Sequence, residues 1–389
     1  MKDFVYSTPT KVYFGRGAQL KIGEAIKETS VSKIMLQYGK GSIKKSGLYQ
    51  QVVNAIKAEG IEIVEMGGVE PNPKLSFVRK AIKLAKDTGV ELILAVGGGS
   101  VIDSCKFTAI GATTDVDVWK FVTGEETPKS ALPVGCVLTI SAAGSEMSSS
   151  AVITNEELNV KKGLTTEFNR CAFAICNPEL TFTLPEYQTA CGVVDILSHT
   201  MERYFTVCPD TPLTDSIAES IMKNVVSAGK KAIEEPNNYD ARATLMWASS
   251  LSHNGLTGAG RENYLAVHQI EHALSGEFDH VTHGAGLALL FPAWAKYVYD
   301  KNLPRFVSFA KNVWGATGKT NREIALNGIN AMQEFFKALK MPSSLIDVGV
   351  TEKDFLKIAN NCTRNGARTI KSYVNLNNED IISILHLCK

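Results

Sequence analysis

Glu91-Leu92-Ile93-Leu94-Ala95-Val96-Gly97-Gly98-Gly99-Ser100-Val101-Ile102-Asp103-Ser104-Cys105-Lys106-Phe107 joins a short apolar run to a second apolar segment through three glycines and a serine. The first run predicts a buried strand and the second a helix. Glycines at that junction let the backbone amides and the helix N-terminus approach a pyrophosphate closely. The pattern is not G-x-G-x-x-G, because Ile102 stands where the third glycine belongs. On these residues alone, a tight strand-to-helix turn is the competing reading.

Upstream the same alternation repeats. Ile34-Met35-Leu36 predicts a strand over 32–37, and Tyr38-Gly39-Lys40-Gly41-Ser42 a turn before a helix over 44–59. A strand over 60–66, a Gly- and Pro-rich loop, and an amphipathic helix carrying Phe77, Ile82, Leu84 and Ala85 follow. Such alternation predicts a parallel sheet covered by helices, an α/β fold. The first strand ends without the acid that would bond a ribose 2′-hydroxyl. Lys40, Ser42, Lys44 and Lys45 stand there instead, which favours a 2′-phosphate and hence NADP; a solvated basic helix start is the alternative. Downstream, the stretch from Thr139 through Gly144-Ser145-Glu146 to Ser148 follows a short strand over 134–137. It fits a ribose-lining loop and an ordinary loop equally well.

Beyond Asn177-Pro178 the strand pattern stops and long helical periodicities begin, so a boundary is placed there, giving units of 1–184 and 185–389. Helices are predicted over 187–204, 213–234, 239–252, 262–274, 284–299, 304–314, 321–339, 352–361 and 378–386, separated by turns such as Cys208-Pro209-Asp210. Four of the seven histidines, His268, His272, His280 and His283, fall within sixteen residues of this half. Crowded imidazoles usually serve a metal or proton transfer. His268 with His272, and Asp195 with His199, share helix faces at i, i+4, although the second pair alone fits a solvated ion pair as well. A carboxylate with several imidazoles and no thiolate suits Fe(II), Zn(II), Mn(II) or Co(II), and suits calcium poorly. His280 follows Asp279 in a predicted loop, while His253 and His386 are read as structural.

At 389 residues the chain is long enough for two cores. Lys and Arg number 41 against 40 Asp and Glu, which removes any general electrostatic reason to expect nucleic acid or an anionic membrane as a partner. The N-terminus has no signal-peptide pattern, and the longest apolar run, near Leu287 to Val298, is interrupted by Pro292 and Lys296. The eight cysteines lack C-x-x-C spacing, as expected of buried thiols in a reducing cytoplasm.

Taken together, these residues resemble the iron-containing (group III) alcohol dehydrogenases, in particular the NADPH-dependent butanol dehydrogenase branch. The resemblance spans essentially the whole chain. It is carried by Gly97-Gly98-Gly99-Ser100 with Asp103 and Lys106, by Thr139 through Glu146, by Leu184-Pro185, by Gly192-Val193-Val194-Asp195 with His199, and by His268, His272 and His283-Gly284. It implies a dehydroquinate synthase-like fold, with a Rossmann-like dinucleotide-binding domain and an all-helical metal-binding domain, and with metal and nicotinamide meeting between them. It further implies Asp195, His199, His268 and His283 as metal ligands and His272 as proton relay. Cofactor contacts would come from Lys40, Gly41, Ser42, Gly97, Gly98, Gly99, Ser100, Asp103, Thr139, Ser148, Lys161 and Thr183. The interval from His268 to His283 is one residue longer than in most relatives and encloses His280; His283 keeps the following glycine and the apolar helix.

The implied activity is hydride transfer between NADP(H), in preference to NAD(H), and a primary alcohol or aldehyde such as butanol or butanal, with Fe(II) or Zn(II), in a cytoplasmic homodimer that meets neither nucleic acid nor membrane. An edge strand near 11–15 is the candidate dimer contact. The competing readings are an NAD-dependent polyol metalloenzyme of the glycerol dehydrogenase or dehydroquinate synthase type, and a catalytically silent nucleotide-binding protein. Apolar surroundings at Phe291 to Trp294 and at Leu251 speak against the polyol reading, and an intact ligand set speaks against the silent one.

Overall fold

The computed structural model describes residues 1–208 and 211–388; Pro209 and Asp210, part of an expected turn, lie outside them. Two compact units form, one of Ser7–Leu184 and one of Pro185–Lys389 together with Met1–Tyr6. The first six residues therefore leave the unit to which the sequence assigns them. The Lys2 amide donates to the Gly260 carbonyl at 2.9 Å, and the Tyr6 ring stands over Gly255.

The first unit runs β1 (Lys11–Phe14), α1 (Ile22–Lys27), β2 (Lys33–Tyr38), α2 (Ser42–Lys45), α3 (Leu48–Ala58), β3 (Glu62–Gly67), α4 (Leu75–Thr88), β4 (Leu92–Gly97), α5 (Gly99–Ala112), α6 (Val118–Thr123), β5 (Val134–Leu138), β6 (Ser150–Asn155), β7 (Val160–Thr165) and β8 (Phe173–Cys176). Its main sheet is parallel, in the order β1-β8-β5-β4-β2-β3. β2 and β4 are adjacent, yet the chain leaves β2 toward β3 and leaves β4 toward β5. That reversal of direction makes the crevice at their carboxyl ends the natural ligand position of an open α/β sheet. The register pairs Tyr38 with Val96 and Gly97 with Leu138. Lys40 to Ser42, Gly97 to Ser100 and Thr139 therefore emerge side by side from three neighbouring strands.

Two local differences from the sequence reading have clear causes. The helix expected over 44–59 is split, because Gly47 takes a left-handed φ of 78° and starts α3 afresh. The antiparallel pair β6–β7 was not expected. Val160-Lys161-Lys162-Gly163-Leu164-Thr165 pairs residue for residue with Ser150–Asn155, but its lysines and glycine conceal the period-two signal.

Lys106 ties this unit together from inside. Its side chain is fully buried, and Nζ donates to the Ser145 carbonyl and hydroxyl (2.7 and 2.9 Å) and to the Ser148 and Ser150 carbonyls (3.1 and 2.8 Å). α5 is thus fastened to the loop after β5 and to the start of β6. Lys106→Met would leave those acceptors without their cation, and is expected to destabilise the unit by about 3 kcal/mol. A thermal melt that does not fall would contradict this.

The second unit runs α7 (Glu186–Tyr204), α8 (Pro212–Glu234), α9 (Tyr239–His253), α10 (Ala266–Glu277), α11 (His283–Val298), α12 (Leu303–Trp314), α13 (Asn321–Ala338), α14 (Glu352–Thr363) and α15 (Asn378–His386). α7 is buried along nearly its whole length, from Thr189 to Tyr204. Phe291 and Trp294 lie in this core against Phe205 and Phe306. They report packing, and so cannot speak for or against a substrate. α10 begins four residues later than predicted, because Leu265 adopts a left-handed φ of 49° ahead of it. Among the described residues no helix is long and apolar enough to cross a membrane.

Candidate functional site

In the helical unit, α7, α10 and α11 bring the candidate ligands together. Asp195 and His199 lie one turn apart on α7, His268 lies in the first turn of α10, and His283 is the first residue of α11. Asp195 Oδ1 is 2.9 Å from His199 Nδ1 and 3.7 Å from both His268 Nε2 and His283 Nε2. Ligand atoms of Asp195, His199 and His268 fall within 4.8 Å of one another, and all three residues are buried. Gly284 lets α11 come this close: a Cβ there would stand 2.4 Å from the Cys191 carbonyl oxygen on α7.

Each of the three imidazoles has its Nδ1 engaged. In His199 it faces the Asp195 main-chain carbonyl at 3.0 Å, in His268 the Glu202 carboxylate, and in His283 the Glu271 carboxylate. That arrangement keeps a proton on Nδ1 and makes Nε2 the atom that an ion would take, displacing any proton there. His268 Nε2 and Asp195 Oδ1 are both buried without a hydrogen-bond partner. Such orphans call for an ion or water. Two donors bound to one tetrahedral ion at roughly 2.0–2.2 Å stand roughly 3.4 Å apart. The residues present therefore fit a divalent metal.

The electrostatics agree. Burial pushes the Asp195 carboxyl up, but the His199 imidazole first, and then the nearby His268 and His283 rings, hold it well below the usual carboxylate range. Burial likewise pushes His268 down, yet the Glu202 charge, with its hydrogen bond, and the neighbouring Asp195 carboxylate raise it to about 9. His199 falls to about 4, chiefly through burial. The site is a well of negative charge that attracts a cation.

The remaining histidines are sorted by position. His272, one turn beyond His268, is half-buried, and its ring centroid lies 6.4 Å from that of His268 and 5.6 Å from that of His283. With Glu271 and His283 it forms a second grouping within 4.8 Å. His280 turns away, its Nε2 lying 3.0 Å from the Val348 carbonyl, so it is no candidate ligand. His253 packs its ring 4.1 Å from that of His199. The sequence reading missed Glu202 and Glu271 altogether. A signal was present, since Asp195, His199 and Glu202 fall at i, i+4 and i+7 on one helix face.

In the parallel-sheet unit, α5 begins at Gly99 with no side-chain cap, which leaves its first amides available to an anion. A Cβ on Gly98 would stand 2.3 Å from Ile140 Cγ2, so only glycine fits. Thr139 continues from β5, its amide bonded to the Gly97 carbonyl at 3.1 Å. Lys40 is exposed and pairs with Glu70 at 2.7 Å. Asp103 is already engaged, accepting from Ser145 Oγ at 2.6 Å and from the Val152 amide at 2.9 Å, which suits a role in fixing the loop. Ser148 is buried, its hydroxyl accepting from the Ser150 amide. Lys161 lies on β7, and Thr183 is exposed just after a short 3-10 turn.

Comparison with known proteins then decides the family. The description "Iron-containing alcohol dehydrogenase" matches residues 9–178, and that of the family's C-terminal domain matches residues 189–388. The chain belongs to the iron-containing alcohol dehydrogenase family. Like other members it is an oxidoreductase with a nicotinamide cofactor and a divalent metal. It is 42% identical to NADH-dependent butanol dehydrogenase A of Clostridium acetobutylicum, over 99% of each chain. It is 38% identical to the NADPH-dependent aldehyde reductase YqhD of Escherichia coli, over 90% of each. The crystal structure of NADH-dependent butanol dehydrogenase A from Thermotoga maritima superposes with a TM-score of 0.96 at 42% identity, covering 100% of this chain and 99% of that one. The expected fold class, a parallel-sheet α/β domain followed by a helical domain, is that of the family.

Proposed function

We propose that this family member interconverts short primary alcohols and aldehydes, butanol and butanal among them, with one divalent ion held by Asp195, His199, His268 and His283. The observation that carries the reading is the pair of orphaned donors, Asp195 Oδ1 and His268 Nε2, set among imidazoles whose Nδ1 atoms are already committed. Fe(II) is the proposed ion, with Zn(II) as its substitute. Bound there, it supplies Lewis acidity to a substrate oxygen. His272, half-buried next to the ligands, moves the proton between substrate and solvent. Gly97 to Ser100 and the start of α5 hold the pyrophosphate, and Gly41, Ser42 and Thr139 line the same end of the sheet.

Lys40 is assigned to the 2′-phosphate of NADP, which would replace Glu70 as the partner of its exposed ammonium. The relatives divide on this point, since butanol dehydrogenase A is NADH-dependent and YqhD NADPH-dependent. Metal analysis together with NADPH and NADH oxidation across short aldehydes tests the reading. Metal-loaded protein that turns over no aldehyde would sink it. Lys40→Asp is expected to shift the NADP to NAD ratio by roughly tenfold or more towards NAD. An unchanged ratio would remove Lys40 from the assignment.

The exposed edge strand β1 is proposed as the contact of a homodimer, to be checked by light scattering. Eight free, buried cysteines support a cytoplasmic location.

A further inference from the structure

The family assignment does not account for the two buried carboxylates behind the histidines. Glu271 is fully buried between α10 and α11, and Glu202 nearly so on α7. A buried carboxylate carries a large desolvation cost, so its presence at both Nδ1 atoms calls for a use. Space is reserved for one of them: a Cβ on Gly286 would stand 2.9 Å from Glu271 Cγ and 3.2 Å from its Oε1. The two differ in what else they hold. Glu202 also accepts from the Val267 amide, a first-turn donor of α10, directly after the left-handed Leu265.

We propose that Glu202 and Glu271 are positioning carboxylates, which fix the tautomers of His268 and His283 and strengthen their Nε2 donors, and so govern how long the site keeps its ion. This rests on the metal reading above. An imidazole whose Nδ1 proton is drawn toward a carboxylate carries more electron density at Nε2 and cannot rotate away from the ion. Glu202 adds a second duty, holding a first-turn amide of α10, so Glu271, whose Cγ fills the space left by Gly286, is the residue varied.

The experiment uses the full chain loaded with Co(II), with the isosteric Glu271→Gln and the apolar Glu271→Leu variants. Release of Co(II) to a chelator, the visible Co(II) spectrum, and the thermal midpoint with and without metal are measured. Release is expected to be roughly 10–100-fold faster in Glu271→Gln, and faster again in Glu271→Leu, with a shifted spectrum. The metal-free midpoint of Glu271→Gln should hold or rise, because a neutral amide replaces a buried charge, while the increment added by metal shrinks. A merely structural role would lower both midpoints together and leave release unchanged. Release within about twofold of wild type in both variants overturns the proposal. Wild-type protein that takes up no Co(II) would instead overturn the metal reading itself.

Discussion

His268→Ala is expected to empty the metal site and lower turnover by at least about a thousandfold, the equivalent of roughly 4 kcal/mol of lost transition-state stabilisation. His268 Nε2 faces Asp195 Oδ1, and its other nitrogen faces Glu202, so one substitution removes a ligand and leaves two buried carboxylates without their shared ring. Such a gap destabilises as well as inactivates, because an uncompensated buried charge costs roughly 3–5 kcal/mol. Elemental analysis and aldehyde reduction measured on the same preparation check both halves. Retention of metal and of activity would show that the ligand set is misassigned.

His272→Phe is expected to do the opposite with the metal. It should keep the ion and the fold, since a ring of similar size replaces the imidazole, while kcat falls roughly 10²–10⁴-fold through loss of proton transfer. The two variants therefore separate the histidines on α10 by readout: one loses metal and activity, the other activity alone. Turnover near the wild-type level would remove His272 from the mechanism. Metal lost together with turnover would make it a ligand and unseat His283, with which it shares the second grouping.

The candidate ligand pairs were readable in the sequence because helical spacing is local. Asp195 with His199, and His268 with His272, declare their shared faces at i, i+4 without any knowledge of the fold. The triple glycine was readable for a similar reason, since a strand, a turn and a helix follow one another directly there. What depended on distant partners was harder to read. Glu202 shares the helix face of Asp195 and His199, but its partner shows only when α7 meets α10, sixty-six residues on. Leu265 offers no hint of a left-handed backbone, because leucine is not a residue that favours one. The β6–β7 pair escaped because its second strand carries lysines on a half-exposed face, where pairing rather than hydrophobicity holds it.

The depth at which His283 enters the site is limited by main-chain contact between Gly284 and Cys191, and the connection before it is fastened there by the buried Val281 and by the Thr282 carbonyl, which accepts from the Ala285 and Gly286 amides. Residues gained or lost ahead of Val281 would leave these contacts intact. His280, inside this connection, is carried outward to Val348. The glycine after the histidine behaves as a mechanical stop, and there even a methyl group would register as a displaced helix.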